Sequence, residues 1–279
     1  MAAKSILLPV VFVLEFSREY IELVFNFLQS TRRKPRVFTP SVGGLSQCAV
    51  CLSWPSEPIC APCRTRFMSS ERRCGRCGLL MPADLSGGSR PLPPDCLTCE
   101  RHPPPVDATH VVVSYAFPWS GLIAQFKFSS QTGWAAGFAA LMLHHTGVAA
   151  CLAKLTEDDV LIPLPLSRQR LETRGFNQSW LLTKSLSTQS GCRAQLDAEV
   201  LLRIRDTVSQ SSLALHDRRA NVKGAFAVDP LKLQRVAGRH VVLVDDVMTS
   251  GASIYAAALA LREARAARVT VVVLARTEA

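Results

Sequence analysis

Apolar positions divide the chain into two regimes. From Thr109 to the C-terminal end, strand-length aliphatic runs alternate with helix-length segments, the pattern of an α/β domain. VVVSYAF after His110 predicts a strand, Leu122 to Phe128 a helix, and Trp134 to Leu155 a longer helix. The run VLIPLPL follows, then a helix near Gln178 to Ser187, a strand near Glu199 to Ile204 and a strand from His240 to Asp245. A helix from Ala252 to Ala267 and the strand VTVVVLA close the sequence. These strands are aliphatic without polar alternation, which predicts a mostly parallel sheet covered by helices on both faces.

Before Thr109 that rhythm is absent. Between Ser41 and Pro105 cysteine, glycine and proline dominate, and the stretch runs into HPPPV, a stiff linker. The expected organisation is a small module over 41–105 and a large domain over 106–279. Residues 1–40 read as an extension of unassigned role, with apolar patches at Ile6 to Leu14 and Ile21 to Leu28 and the basic run TRRKPR. Neither patch reaches the roughly 20 apolar residues of a transmembrane helix. Pro9 interrupts the first patch and Glu15-Phe16-Ser17 offers no small-residue cleavage site, so a cytoplasmic chain is expected and a secreted one is not. An amphipathic surface helix and a dispensable extension both fit this segment.

With 279 residues, 48% of them hydrophobic, the chain has material for a substantial core, which excludes an intrinsically disordered protein. Thirty-two basic residues against 22 acidic ones leave a formal charge of +10. Such a surface attracts phosphates, nucleic acid or acidic lipid without choosing among them.

Cysteine spacing is more selective. Eight of the ten cysteines form four CxxC pairs: Cys48/Cys51, Cys60/Cys63, Cys74/Cys77 and Cys96/Cys99. A CxxC turn brings two sulfurs to one side of a tight loop, and two such turns supply a tetrahedral zinc site with Zn–S distances of about 2.3 Å. The third and fourth pairs, CxxC-x18-CxxC, have zinc-ribbon spacing, while the first and second, CxxC-x8-CxxC, make a shorter knuckle. Two structural Zn2+ sites are expected, with ligands in sequential order and an interleaved first-with-third order as the alternative. A disulfide framework would require an oxidising compartment. Apolar residues are sparse here, so metal is expected to supply the folding energy, on the order of 10 kcal/mol per site.

The stretch VVLVDDVMTSGAS, residues 241–253, joins a strand to a helix through two acids and a hydroxyl-rich turn. In a parallel sheet this junction is a ligand-binding edge. Helix-start N–H groups with the hydroxyls of Thr249, Ser250 and Ser253 make a phosphate cradle, and Gly251 lets oxygens approach the main chain. Carboxylates beside such a cradle make sense when they accept hydrogen bonds from hydroxyls of the same ligand, or reach it through a metal. A phosphorylated sugar with vicinal hydroxyls meets both demands. The chain has no GxxxxGK[ST] loop, so the acids are not the Walker B partner of a P-loop.

VVLVDDVMTSGAS resembles the phosphoribosyl-pyrophosphate signature of type I phosphoribosyltransferases, with Ser250 and Ser253 where Thr is more usual. IPLPLSRQRLETRGFNQSWLLTKSL (162–186), LRIRDTVSQSSLALHDRRANVKGAFAV (202–228), the cysteine module and YAFPWSGLIAQFKF resemble the competence protein F (ComF-like) family. The likeness covers roughly residues 45–277. It implies a type I phosphoribosyltransferase-like sheet preceded by a zinc-ribbon module. It further implies that Asp245 and Asp246 hold the ribose hydroxyls, and that Thr249, Ser250, Gly251, Ala252 and Ser253 hold the 5′-phosphate. IPLPLSRQR would face pyrophosphate through Arg170 and Arg174, with Gly175 and Asn177 shaping the next turn. Gln210, Arg218, Arg219 and Asn221 would belong to a mobile loop that excludes water, and Lys127 is a candidate beside them.

Two functions follow as expectations. The first is a phosphoribosyltransferase taking phosphoribosyl pyrophosphate with Mg2+ and an unidentified acceptor, or a ligand sensor on the same fold. The second is a single-stranded DNA-binding accessory of a DNA-uptake machinery, motivated by Arg64, Arg66, Arg72, Arg73 and Arg76 around the cysteines.

Overall fold

The computed structural model describes residues 46–68, 71–82, 93–128, 131–205 and 224–278. Along them run α1 (Ala61–Phe67), α2 (Leu97–Arg101), β1 (Ala108–Ser114), α3 (Trp119–Phe128), α4 (Trp134–Leu143), α5 (Thr146–Ala153) and β2 (Val160–Pro163). Next come α6 (Arg168–Arg174), α7 (Gln178–Ser190), β3 (Gln195–Leu196), β4 (Leu201–Arg203), β5 (Phe226–Val228) and a 3₁₀ turn at Pro230–Arg235. β6 (His240–Met248), α8 (Ala252–Glu263) and β7 (Arg268–Arg276) complete the order.

Five strands form a parallel sheet in the order β1-β7-β6-β2-β3, as the aliphatic runs predicted. Both faces are covered. Val242, Val244, Val272 and Leu274 pack with Phe126 of α3, Phe138 of α4 and Leu182 and Leu186 of α7. Val241, Leu243, Val271 and Val273 pack with Ile254, Ala257, Ala258 and Leu261 of α8. Each fully buried aliphatic side chain contributes roughly 1.5–3 kcal/mol, so these two layers dominate stability.

Several boundaries differ from the sequence pattern, each for a local reason. The long helix expected over Trp134 to Leu155 is two helices meeting at 91°. His145 adopts an extended backbone and its ring accepts from the Val148 N–H at 3.3 Å, starting α5 afresh. Gly147 sits so close to His110 that an added Cβ would lie 2.7 Å from Nδ1. The strand near Glu199 to Ile204 is shorter and pairs antiparallel with β5, outside the main sheet. α8 ends at Glu263, because Arg265 turns to φ 63° and Ala266 bridges to Ala237. Among the described residues no single helix is long and apolar enough to cross a membrane. Residues 1–40 and the segment holding Gln210, Arg218, Arg219 and Asn221 lie outside the described residues.

The cysteines assemble as two groups, Cys48/Cys51/Cys60/Cys63 and Cys74/Cys77/Cys96/Cys99, with sulfurs within 4.8 Å of one another in each. The sequential pairing is therefore the one realised. Backbone N–H groups point at these sulfurs, Cys60 to Cys48 at 3.4 Å and Cys96 to Cys74 at 3.3 Å, the polarity that a thiolate requires. Burial opposes ionisation of Cys48, yet the N–H groups of Cys51, Cys60 and Val50 outweigh it and bring the thiol down to about 6. Burial and the neighbouring sulfurs instead push Cys63 up to about 12. Four close thiols of such opposed character are reconciled by a divalent cation, and both donor sets fit tetrahedral zinc.

Each group is fastened to the sheet domain. The Trp119 indole donates to the Phe67 carbonyl at 3.0 Å, and Cys48, Ile59 and Cys63 share an apolar cluster with Trp119. Thr109 donates to the Gly75 and Arg76 carbonyls at 2.7 and 2.6 Å. A reduced preparation is expected to carry two zinc equivalents by elemental analysis, and Cys48→Ser and Cys74→Ser one each. Two equivalents retained in both variants would remove the thiolate groups as the metal sites.

Candidate functional site

β2 pairs with β6 as far as Pro163 opposite Val244, where Leu164 donates to the Val244 carbonyl at 2.8 Å and the chain turns away. β6 itself continues to Met248 beside β7. The two acids therefore lie within the strand rather than at its end, at the point where β6 loses one neighbour. That open edge is the floor of a cleft of about 660 Å³. Asp245 and Asp246 line it together with Lys127, Arg170, Arg174, Thr249, Gly251, Ala252 and Ser253.

The acid pair is held by groups from two helices. Ser179, in the first turn of α7, donates its hydroxyl to Asp245 Oδ1 at 2.7 Å, and the Asp246 N–H donates to the same oxygen at 2.9 Å. Lys127, at the end of α3, places Nζ 3.0 Å from Asp246 Oδ1, with both side chains largely buried. Arg174 lies over the Phe128 ring at 5.0 Å and donates to Gln178 Oε1 at 3.2 Å. Burial pulls the Arg174 pKa down while the fields of Asp246 and Asp245 support its charge.

Behind the acids, the turn into α8 is built by Gly251. Its φ of 80° is left-handed, and a Cβ there would meet Met248 Cε at 2.6 Å and the Tyr255 ring at 2.8 Å. Only glycine fits both demands. Gly251 has no side chain to cap α8, and Ala252, Ser253 and Ile254 of its first turn line the cleft, where the start of a helix favours an anion. Ser250 differs from the rest of the stretch: its Oγ accepts from the Ala252 N–H at 3.4 Å, and it lines a second cavity beside Cys77 and Tyr255.

Gly175 and Asn177 do not line the cleft; they shape it. Gly175 ends α6 at φ 76°. Asn177 caps α7 by accepting from the Ser179 and Trp180 N–H groups at 2.9 and 3.4 Å, and its Nδ2 donates to the Leu164 carbonyl at 3.1 Å. That bridge ties the loop after β2 to the helix that presents Ser179. Sequence reasoning missed Gln178, Ser179, Tyr115, Phe128 and Arg203, all of which line the cleft. The signal for Gln178 and Ser179 was Asn177 itself, since a helix cap fixes where the next turn points.

Burial first, and the Asp246 charge second, push the Asp245 carboxyl up from 3.8 to about 7, against the opposing hydrogen bond from Ser179. Between those values the folded chain holds a proton that the unfolded chain has lost, so stability from this group falls as pH rises from about 4 through 7. Asp245→Asn is expected to melt a few degrees above the unaltered protein at pH 8, with the gap closing toward pH 4. Identical melting profiles of the two proteins across that range would exclude a proton held at Asp245.

The phosphoribosyl transferase domain family matches residues 184–279. DNA utilization protein YhgH of Escherichia coli O157:H7 is 38% identical over 219 residues, 78% of this chain and 90% of that protein. Competence protein F of Haemophilus influenzae is 30% identical over 78% of this chain and 90% of its own length. Competence protein ComFC of Bacillus subtilis is 26% identical over 77% and 82%. Sequence likeness along most of both chains shows that the protein belongs to the family of the DNA utilization and competence F proteins, and its residues 184–279 carry a phosphoribosyl transferase domain.

Proposed function

We propose that the cleft binds phosphoribosyl pyrophosphate and transfers its phosphoribosyl group to an acceptor. The observation that carries this reading is the meeting of a carboxylate pair and the glycine-built start of α8 in one cavity. A ribose diol needs acceptors, supplied by Asp245 and Asp246. A 5′-phosphate needs donors, supplied by the turn from Thr249 to Ser253. The spare cations Arg170 and Arg174 suit the pyrophosphate, whose charge Mg2+ would help neutralise when bound with it.

In the transfer, the bond from the anomeric carbon to pyrophosphate breaks and a bond to the acceptor's heteroatom forms, with the acceptor's proton released. Charge stabilisation and alignment are what such a displacement asks of a protein. Lys127 belongs to this arrangement through Asp246, orienting that carboxylate by their ion pair. Calorimetry with phosphoribosyl pyrophosphate and Mg2+ is expected to show binding that Asp246→Ala weakens at least tenfold. Equal affinity in the two proteins would end this assignment. Pyrophosphate release on adding candidate acceptors separates an enzyme from a sensor.

A second reading has its own observation. Phe117 and Phe128 are 75% and 72% exposed, Tyr115 precedes Phe117 by two residues, and Arg66 covers the Phe67 ring at 5.4 Å. Phe67 and Phe117 meet edge to face at 5.7 Å. Exposed rings among arginines are the makings of a single-stranded nucleic-acid surface, and the relatives' names concern DNA utilization and competence. The basic cluster contributes less than its count suggests. Arg64 reaches Glu57, Arg72 the Pro93 carbonyl, Arg73 Glu278 at 2.8 Å and Arg76 Asp95 at 2.9 Å. Single-stranded DNA affinity is expected to fall with salt and to drop about tenfold in Phe117→Ala, within the range of a stacked base. No binding at low salt would eliminate this reading.

A further inference from the structure

Gln178 is 1% exposed and opens α7 on the wall of the cleft. Its carboxamide is half used. Oε1 accepts from Arg174 Nη1 at 3.2 Å, which fixes the orientation of the amide, since the reverse would set two donors face to face. Nε2 is then buried with no acceptor. A buried donor left unsatisfied is costly, and such groups persist where a ligand completes them. The next residue, Ser179, already serves the acid pair, so the first two residues of α7 are both site wall.

Arg174, at the other end of the amide, states the chemistry of the missing partner. Together with Arg170 it makes this end of the cleft cationic, and an oxygen that satisfies Nε2 there belongs to an anion. We infer that Gln178 is a ligand-binding residue whose Nε2 donates to an oxyanion of pyrophosphate, or of the pyrophosphoryl group of the sugar substrate, while its Oε1 aims Arg174 at the same group. This rests on the proposed phosphoribosyl-pyrophosphate site. Gln178 is distinct from Asn177 beside it, whose amide is spent on backbone contacts within the fold.

Two near-isosteric substitutions separate the roles. Gln178→Glu keeps an acceptor for Arg174 and removes the donor; Gln178→Met removes both and also the unsatisfied amide. Calorimetry on the full chain with magnesium pyrophosphate, and separately with ribose 5-phosphate, is the measurement. Both variants are expected to bind pyrophosphate at least tenfold more weakly and ribose 5-phosphate within twofold of the unaltered protein. Gln178→Met is expected to keep or raise the melting temperature, which a merely structural glutamine would not allow. Unchanged pyrophosphate affinity in Gln178→Glu overturns the inference, as does an equal loss for both ligands. If the unaltered protein binds pyrophosphate but not ribose 5-phosphate, the sugar-phosphate reading fails and the role of Gln178 is still decided by the variants.

Discussion

Two neighbouring carboxylates in a half-enclosed cleft are the constraint around which this domain is arranged. Side by side and away from bulk water, they repel each other and resist ionisation, and Asp245 shows it by holding its proton to about 7. The surroundings answer from three directions: Lys127 from α3, Ser179 from α7 and the Asp246 N–H from the strand itself. The acids lie just past the point where β2 leaves the sheet at Leu164 and opens the edge of β6. Sheet order, helix starts and the cap at Asn177 thus converge on one electrostatic requirement.

The turn after the acids is constrained from behind. Arg276 is 4% exposed and bridges two segments, donating to the Met248 carbonyl at 3.1 Å and to the Cys77 carbonyl at 3.0 Å. The second cysteine group is thereby attached to the strand end that launches the Gly251 turn. A metal ion held by that group would also steady the backbone carbonyl to which Arg276 donates. The cysteine module is an integral wall of the structure, with its own second cavity of about 580 Å³ between the cysteines and α8.

Much of this was legible before any coordinates. Aliphatic runs without polar alternation announced a buried parallel sheet, and CxxC spacing announced two groups of four thiols. DD followed by TSGAS marked the junction, because few stretches combine acids with a glycine turn. What stayed hidden depended on tertiary neighbours. Apolar residues on both sides of HHTG let Trp134 to Leu155 read as one helix and hid the break that His145 and Gly147 create. Gln178 and Ser179 read as ordinary polar helix residues until the fold set them against the acids. The pairing of Arg73 with Glu278 spans most of the chain and left no local trace.

The cleft's charge balance narrows what it can hold. Lys127, Arg170, Arg174 and Arg203 line it against Asp245 and Asp246, and the α8 start adds donors without adding charge. Asp245 takes up a proton near neutrality, which tips the balance further toward the cations. A neutral sugar would offer Arg170 and Arg174 no anion, and a bare phosphate would offer the carboxylates no hydroxyl. On the proposed reading, a ligand with anionic groups at both ends and hydroxyls between them would meet donors at the α8 turn, acceptors at the acid pair, and arginines with the Gln178 amide on the far wall. In that proposal the division of labour along one cleft, more than any single residue, supplies the charge stabilisation and alignment that the displacement asks for.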